Sequence, residues 1–135
     1  MRSTQDERGL SISVMMIVIF GALIAVAGLV IDGGQKLTAT SRAETAAAGA
    51  SRVAGNAAAT EQLGGQNPAG AAVLAARTYL AGQPGVDGTV TVADGVVSIT
   101  TSATEPTIFL SAIGIASVTG RGQAEANVVA TGEQR

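Results

Sequence analysis

The sequence predicts an α+β chain: a single N-terminal transmembrane helix extends into a long Ala-rich helix, packed by a small three-stranded sheet that contains antiparallel pairs. Three observations carry this prediction. An uncharged run of 22 residues, Leu10 to Ile31, stands near the start. Small apolar residues then recur at helical spacing as far as the Gly64-Gly65 pair. Beyond that point strict alternation sets in, first around an Asp-Gly pair and again near the C-terminus. The chain divides into a short charged tail (1–9), the apolar helix (10–31) and a domain of 104 residues (32–135).

As a helix the apolar run is roughly 33 Å long, enough to cross a bilayer core. Read as a secretory signal, it would be cut near Ala25–Gly28, a small-x-small pattern. The run continues through Leu29, Val30 and Ile31, however, and Arg2 and Arg8 of the tail are balanced by Asp6 and Glu7. A retained membrane segment is therefore preferred. Ser11, Val14, Val18, Gly21, Ala25, Gly28 and Asp32 recur at spacings of three and four, a seam of mostly small residues. Met15, Met16, Ile19, Leu23 and Ile24 are read as the other side. Such a seam lets helix backbones approach closely in a membrane, so Gly21, Ala25, Gly28 and Asp32 are candidate assembly positions. Small residues are also common in any membrane helix, and Asp32 alternatively reads as an interfacial charge that ends the span. The short tail with its two Arg is read as cytoplasmic and the domain as extracytoplasmic, giving a single-pass protein of the cell membrane.

From Gly33 to Gly65 the sequence continues as helix. Ala39, Ala43, Ala46, Ala50, Val53 and Ala57 form an apolar stripe of small side chains. Gly33-Gly34 predicts a soft point, and Gly49 and Gly55 each weaken the helix by about 1 kcal/mol relative to Ala. The alternative is an unstructured Ala/Gly/Thr stalk. Asn67 and Pro68 predict the start of a second helix, with Ala72, Val73, Ala76, Tyr79 and Leu80 on its apolar face and Gly82 and Pro84 ending it.

"GTVTVADGVVSIT" (88–100) predicts a hairpin on the Asp94-Gly95 turn. Counting outward pairs Ala93 with Val96, Val92 with Val97, Thr91 with Ser98 and Val90 with Ile99; Val90, Val92, Val97 and Ile99 then share the apolar face. "EPTIFLSAIG" (105–114) reads as a short helical or turn segment anchored by Phe109, Leu110 and Ile113. A last strand follows, with Ala116, Val118, Gly120, Gly122, Ala124, Ala126 and Val128 on one face. That small face suits close packing of a helix. A right-handed crossover through 105–114 would set the last strand parallel to the second hairpin strand and beside the first.

The chemistry that can be excluded is broad. The chain has no Cys and no His, which removes disulfides, the common nucleophile–base pairs and the commonest transition-metal ligands. "GGQKLT" lacks phosphate-loop spacing, and the carboxylates Asp32, Glu44, Glu61, Asp87, Asp94, Glu105, Glu125 and Glu133 are too scattered for a calcium loop. Six Lys/Arg against eight Asp/Glu after Ile31 leave no basic patch for nucleic acid. The expectation is a non-enzymatic protein without a cofactor or a metal.

Taken together, "ERG" before the apolar run, "VIDGGQKL" after it, the Ala-rich helix and the closing "PTIFLSAIGIASVTGRGQAEA" resemble the TadE/TadG-like proteins, minor-pilin-like subunits of the tight-adherence (Tad/Flp) pilus machinery, most like actinobacterial versions. The resemblance implies a pilin-like fold and a structural role in a type IV-like pilus or related secretion assembly at the cell surface. It implies other pilin-like subunits and Tad-type assembly proteins as partners. It also implies cutting by a prepilin peptidase after Gly9, with Leu10 as the new N-terminus. The pattern departs at Val14, where pilins usually carry Glu at the fifth mature position; an uncut anchor is the alternative. A membrane-anchored module that binds an extracellular ligand through its polar sheet face is the competing function.

Overall fold

The computed structural model describes residues 6–128, with side-chain surroundings given from residue 11 onward. Its spine is one helix, α1, running without interruption from Asp6 to Leu63. At about 1.5 Å per residue this is a rod of roughly 87 Å. The expected soft point at Gly33-Gly34 stays helical. Tertiary contacts on both sides hold it: Asp32 bonds a loop on one side, and Lys36 Nζ donates to the Thr119 carbonyl on the other. The stalk alternative is thereby replaced by helix. α1 ends where the glycine pair predicts. Gly65 takes a left-handed conformation (φ 68°), Gln66 N–H donates to the Glu61 carbonyl (3.0 Å) and Gly65 N–H to Gln62 (3.3 Å), which satisfies the last carbonyls of the helix.

The second helix, α2 (Pro68–Ala81), begins as expected. The Asn67 side chain accepts from Gly70 N–H (3.1 Å), and Pro68 occupies the first turn. Ala72, Ala76 and Leu80 are buried, with Val73 and Tyr79 packed at the edge of the same cluster. Tyr79 lies directly over Gly49 of α1, where a Cβ would collide with its ring. Gly49 therefore weakens the helix locally but admits the one tyrosine of the chain to the α1–α2 contact.

Three strands follow: β1 (Val86–Ala93), β2 (Val96–Pro106) and β3 (Ser117–Asn127). The hairpin has the expected register, with Ala93 opposite Val96 and Val90 opposite Ile99. Asp94 (φ 50°) and Gly95 (φ 75°) both have positive φ, as a tight turn matching strand twist demands. Gly95→Val should cost on the order of 1–2 kcal/mol. Thermal unfolding of the full chain in detergent micelles checks it; an unchanged midpoint would contradict the turn.

The expected strand order is corrected. The sheet runs β1-β2-β3, with β3 antiparallel to β2 rather than parallel to it and beside β1. The physical reason lies in the connection. A parallel crossover needs a dozen or more residues, commonly with a helix. The segment between Pro106 and Ser117 contains only a single 3₁₀ turn, Leu110–Ile113, and Thr107 N–H closes it onto the Ala116 carbonyl (3.0 Å). It is a looped reversal, so β2 becomes the central strand and β1 an edge. Val92, expected on the buried face, is consequently exposed near the free end of that edge, while Val90, Val97 and Ile99 are buried.

The inner face of the sheet lies on α1. Gly120 and Gly122 of β3 let the two backbones meet: a Cβ on Gly122 would stand 2.5 Å from the Ala43 carbonyl, and one on Gly120 would fall inside the backbone of Ala39 and Thr40. Thr101, buried in the middle of β2, uses this closeness to donate its hydroxyl to the Ala43 carbonyl (2.6 Å). The α1 stripe begins as expected at Ala39, Ala43, Ala46 and Ala50, then moves to Ala54 and Ala58 rather than Val53 and Ala57. Spacings of four and three average 3.5 residues, whereas a straight helix has 3.6 per turn, so a strict stripe drifts round the helix.

Candidate functional site

The most informative region is where α1 leaves its apolar half. From Ser11 to Ala27 every residue is exposed, and this stretch contributes no side chain to the core. An apolar helical surface of that extent has no partner within the domain. One long apolar helix near the N-terminus is consistent with a single membrane-spanning segment.

The predicted seam divides in two at its upper end. Gly21 and Ala25 are exposed, and a Cβ on Gly21 would meet nothing within 4 Å. Gly28 and Asp32 are buried against the chain's own β2–β3 loop. Phe109 packs onto Gly28 so tightly that a Cβ there would lie 2.6 Å from the ring. The Asp32 carboxylate, only 1% exposed, accepts from three consecutive backbone N–H groups: Ile108 (2.8 Å), Phe109 (3.0 Å) and Leu110 (2.6 Å). Burial opposes the charge on Asp32, but the three donors outweigh it and hold the carboxyl below its ordinary pKa. Asp32 thus does more than end the apolar run: it clamps a loop 76 residues further on.

The loop is otherwise self-contained. Thr107 Oγ1 donates to the Ile115 carbonyl, Ser111 Oγ to Ile108 (2.7 Å), and Ile115 N–H to Leu110 (3.0 Å), with Gly114 left-handed at the end of the 3₁₀ turn. Of its expected anchors, Phe109 is seated on α1 and Leu110 is half-buried. Ile113 is not an anchor; it is 74% exposed, because the 3₁₀ turn points it away from α1.

Above this junction Arg42 ties three elements together. It pairs with Glu105 at the end of β2 and donates to the Pro84 carbonyl (2.7 Å) in the α2–β1 connection. The outer sheet face, opposite α1, is polar: Thr91, Thr100, Thr104, Thr119, Arg121, Gln123 and Glu125 are exposed there. Among the described residues no group of three or more His, Cys, Asp or Glu side chains is placed to hold a metal ion. The Gly9–Leu10 junction lies in the first turns of α1, outside the residues whose side chains are described.

The region as a whole defines an α+β domain fused without a linker to an apolar, membrane-length helix. Comparison with protein-family models, with curated proteins and with solved structures gives no match.

Proposed function

We propose that this chain is a structural, pilin-like subunit of a Tad-type pilus or related envelope secretion assembly, a TadE/TadG-like protein. In this reading Leu10–Ile31 crosses the cell membrane with the N-terminus in the cytoplasm, and the α+β domain stands outside. Other pilin-like subunits and Tad-type assembly proteins are its partners, and no catalysis is involved. The observation that supports the reading is the continuity of α1: one helix supplies both an unpartnered apolar half and the small-residue spine of the domain. A tethered binding module needs only a span and a flexible link. A subunit that packs side by side with its neighbours benefits from a rigid helix whose membrane half carries a small-residue face.

Assembly through that face would use Gly21 and Ala25, because Gly28 and Asp32 are occupied by the chain's own loop. Lipid tails are as apolar as Leu, so burial of apolar surface does not drive these helices together, but close backbone contact does. Gly21→Leu and Ala25→Leu should therefore reduce crosslinking and co-purification of the full-length protein from membranes several-fold. Ala27→Leu, the same kind of change about a third of a turn from Gly21 and nearly half a turn from Ala25, should leave them unchanged. Equal association for all three variants would sink the subunit reading and leave an anchored module.

A further inference from the structure

We infer that the β2–β3 loop, residues 107–116, is a second membrane-contacting element that rests in the outer boundary of the bilayer beside α1, with a lipid surface as its partner. The inference rests on Leu10–Ile31 being the membrane span. The loop's depth follows from its attachment. Phe109 is seated on Gly28 and the next backbone groups on Asp32, so the loop is pinned to the last turn of the span. Gly28 precedes Ile31 by three residues, which places the Phe109 contact roughly 4–5 Å inside the end of the apolar run. Interfacial elements bury their apolar faces to about 5–10 Å.

The loop's composition and bonding fit that place independently. Residues 107–116 carry no charge. Ile108 (58%), Phe109, Ile113 (74%) and Ile115 are exposed apolar side chains of a loop whose Phe109 rests on Gly28, at the end of the bare stretch of α1. Most of the loop's backbone donors are satisfied within the protein. The N–H groups of Thr107, Ile108, Phe109, Leu110, Ala112, Gly114 and Ile115 all have protein acceptors. Both hydroxyls of the loop, on Thr107 and Ser111, donate to carbonyls within it. A low-dielectric boundary demands such internal satisfaction of non-helical backbone. The Asp32 charge that clamps the loop is itself covered by it, so the junction exposes little polar surface at this depth.

The absence of Cys makes the test direct. Ile113→Cys, Val18→Cys and Thr91→Cys variants of the full chain are labelled with an environment-sensitive nitrobenzoxadiazole fluorophore. They are reconstituted in vesicles of phosphatidylcholine and phosphatidylglycerol and quenched either by lipids spin-labelled near the headgroup or by aqueous iodide. The probe at 113 should be quenched by the shallow lipid label several-fold more than the probe at 91, and by iodide several-fold less. If 113 behaves like 91 while 18 is reached only from the lipid, the loop stands in water and the inference fails with the span intact. If 113 is shielded from both quenchers, a protein neighbour covers it, which also overturns the lipid assignment. If 18 is quenched by iodide and not by lipid, the span itself is wrong, a distinguishable failure that removes the basis for the loop as well.

Discussion

Gly120→Ala should be the most damaging single-methyl change in the α+β domain. The added carbon has nowhere to go, because backbone atoms of Ala39 and Thr40 occupy its position and a helix backbone does not rotate away as a side chain would. Overpacking of a core commonly costs 1–3 kcal/mol and occasionally more. Here the whole α1–β3 contact must open, and with it the Thr101 hydroxyl bond to Ala43. A loss on the order of 3 kcal/mol or more is expected, or about 10–20 °C in the thermal midpoint of a domain this size. Gln123→Ala, on the exposed face of the same strand, should change stability by less than about 0.5 kcal/mol. Far-ultraviolet circular dichroism of the full chain in detergent micelles reads both. Equal midpoints for the two variants would mean that helix and strand do not approach as closely as described.

The second large effect is expected at Asp32, and it should be local. Asp32→Ala removes the acceptor of three N–H groups at once. Hydrogen bonds to a charged group contribute about 1.5–3 kcal/mol each, but a peripheral loop can turn its freed donors to water, so the net loss should be nearer 2–3 kcal/mol in total. The loop then opens without unfolding the sheet. Hydrogen exchange at Ile108, Phe109 and Leu110 in micelles should accelerate about 30-fold or more, while exchange in β2 stays unchanged. Asp32→Asn keeps one carbonyl acceptor but loses the charge, and should fall between. Unaltered exchange at these three amides in Asp32→Ala would show that the carboxylate does not hold the loop.

These two sites mark what was and was not legible in the sequence. Gly120 and Gly122 were visible as a small face on an alternating strand, because strand periodicity fixes which side chains share a face. The Asp94-Gly95 turn set the hairpin register, and Asn67-Pro68 marked the start of α2, since both are local chemistry. The clamp was not legible. Asp32 was visible as a seam residue and a boundary charge, but its partners are backbone amides that any residue could supply, and they come from a segment remote in sequence. Gly28 reads from sequence as a contact for a neighbouring helix for the same reason: a small residue on an apolar helix does not say which segment covers it. The strand order is not legible because the segment after Pro106 reads as a crossover, whereas its own hydrogen bonds fold it back on itself. The drift of the stripe to Ala54 and Ala58 shows how a small mismatch of period accumulates along a helix of this length.

The unbroken course of α1 also fixes a phase. In a helix each residue turns the direction of the next by about 100°. With no hinge between Ala25 and Ala39, the azimuth of Gly21 and Ala25 is locked to the azimuth of the sheet on Gly120 and Gly122. The domain therefore acts as a handle on the apolar half of the helix. Torque applied to the sheet reaches the seam undiminished, and one residue added between Ile31 and Ala39 would turn one against the other by more than a quarter of a circle.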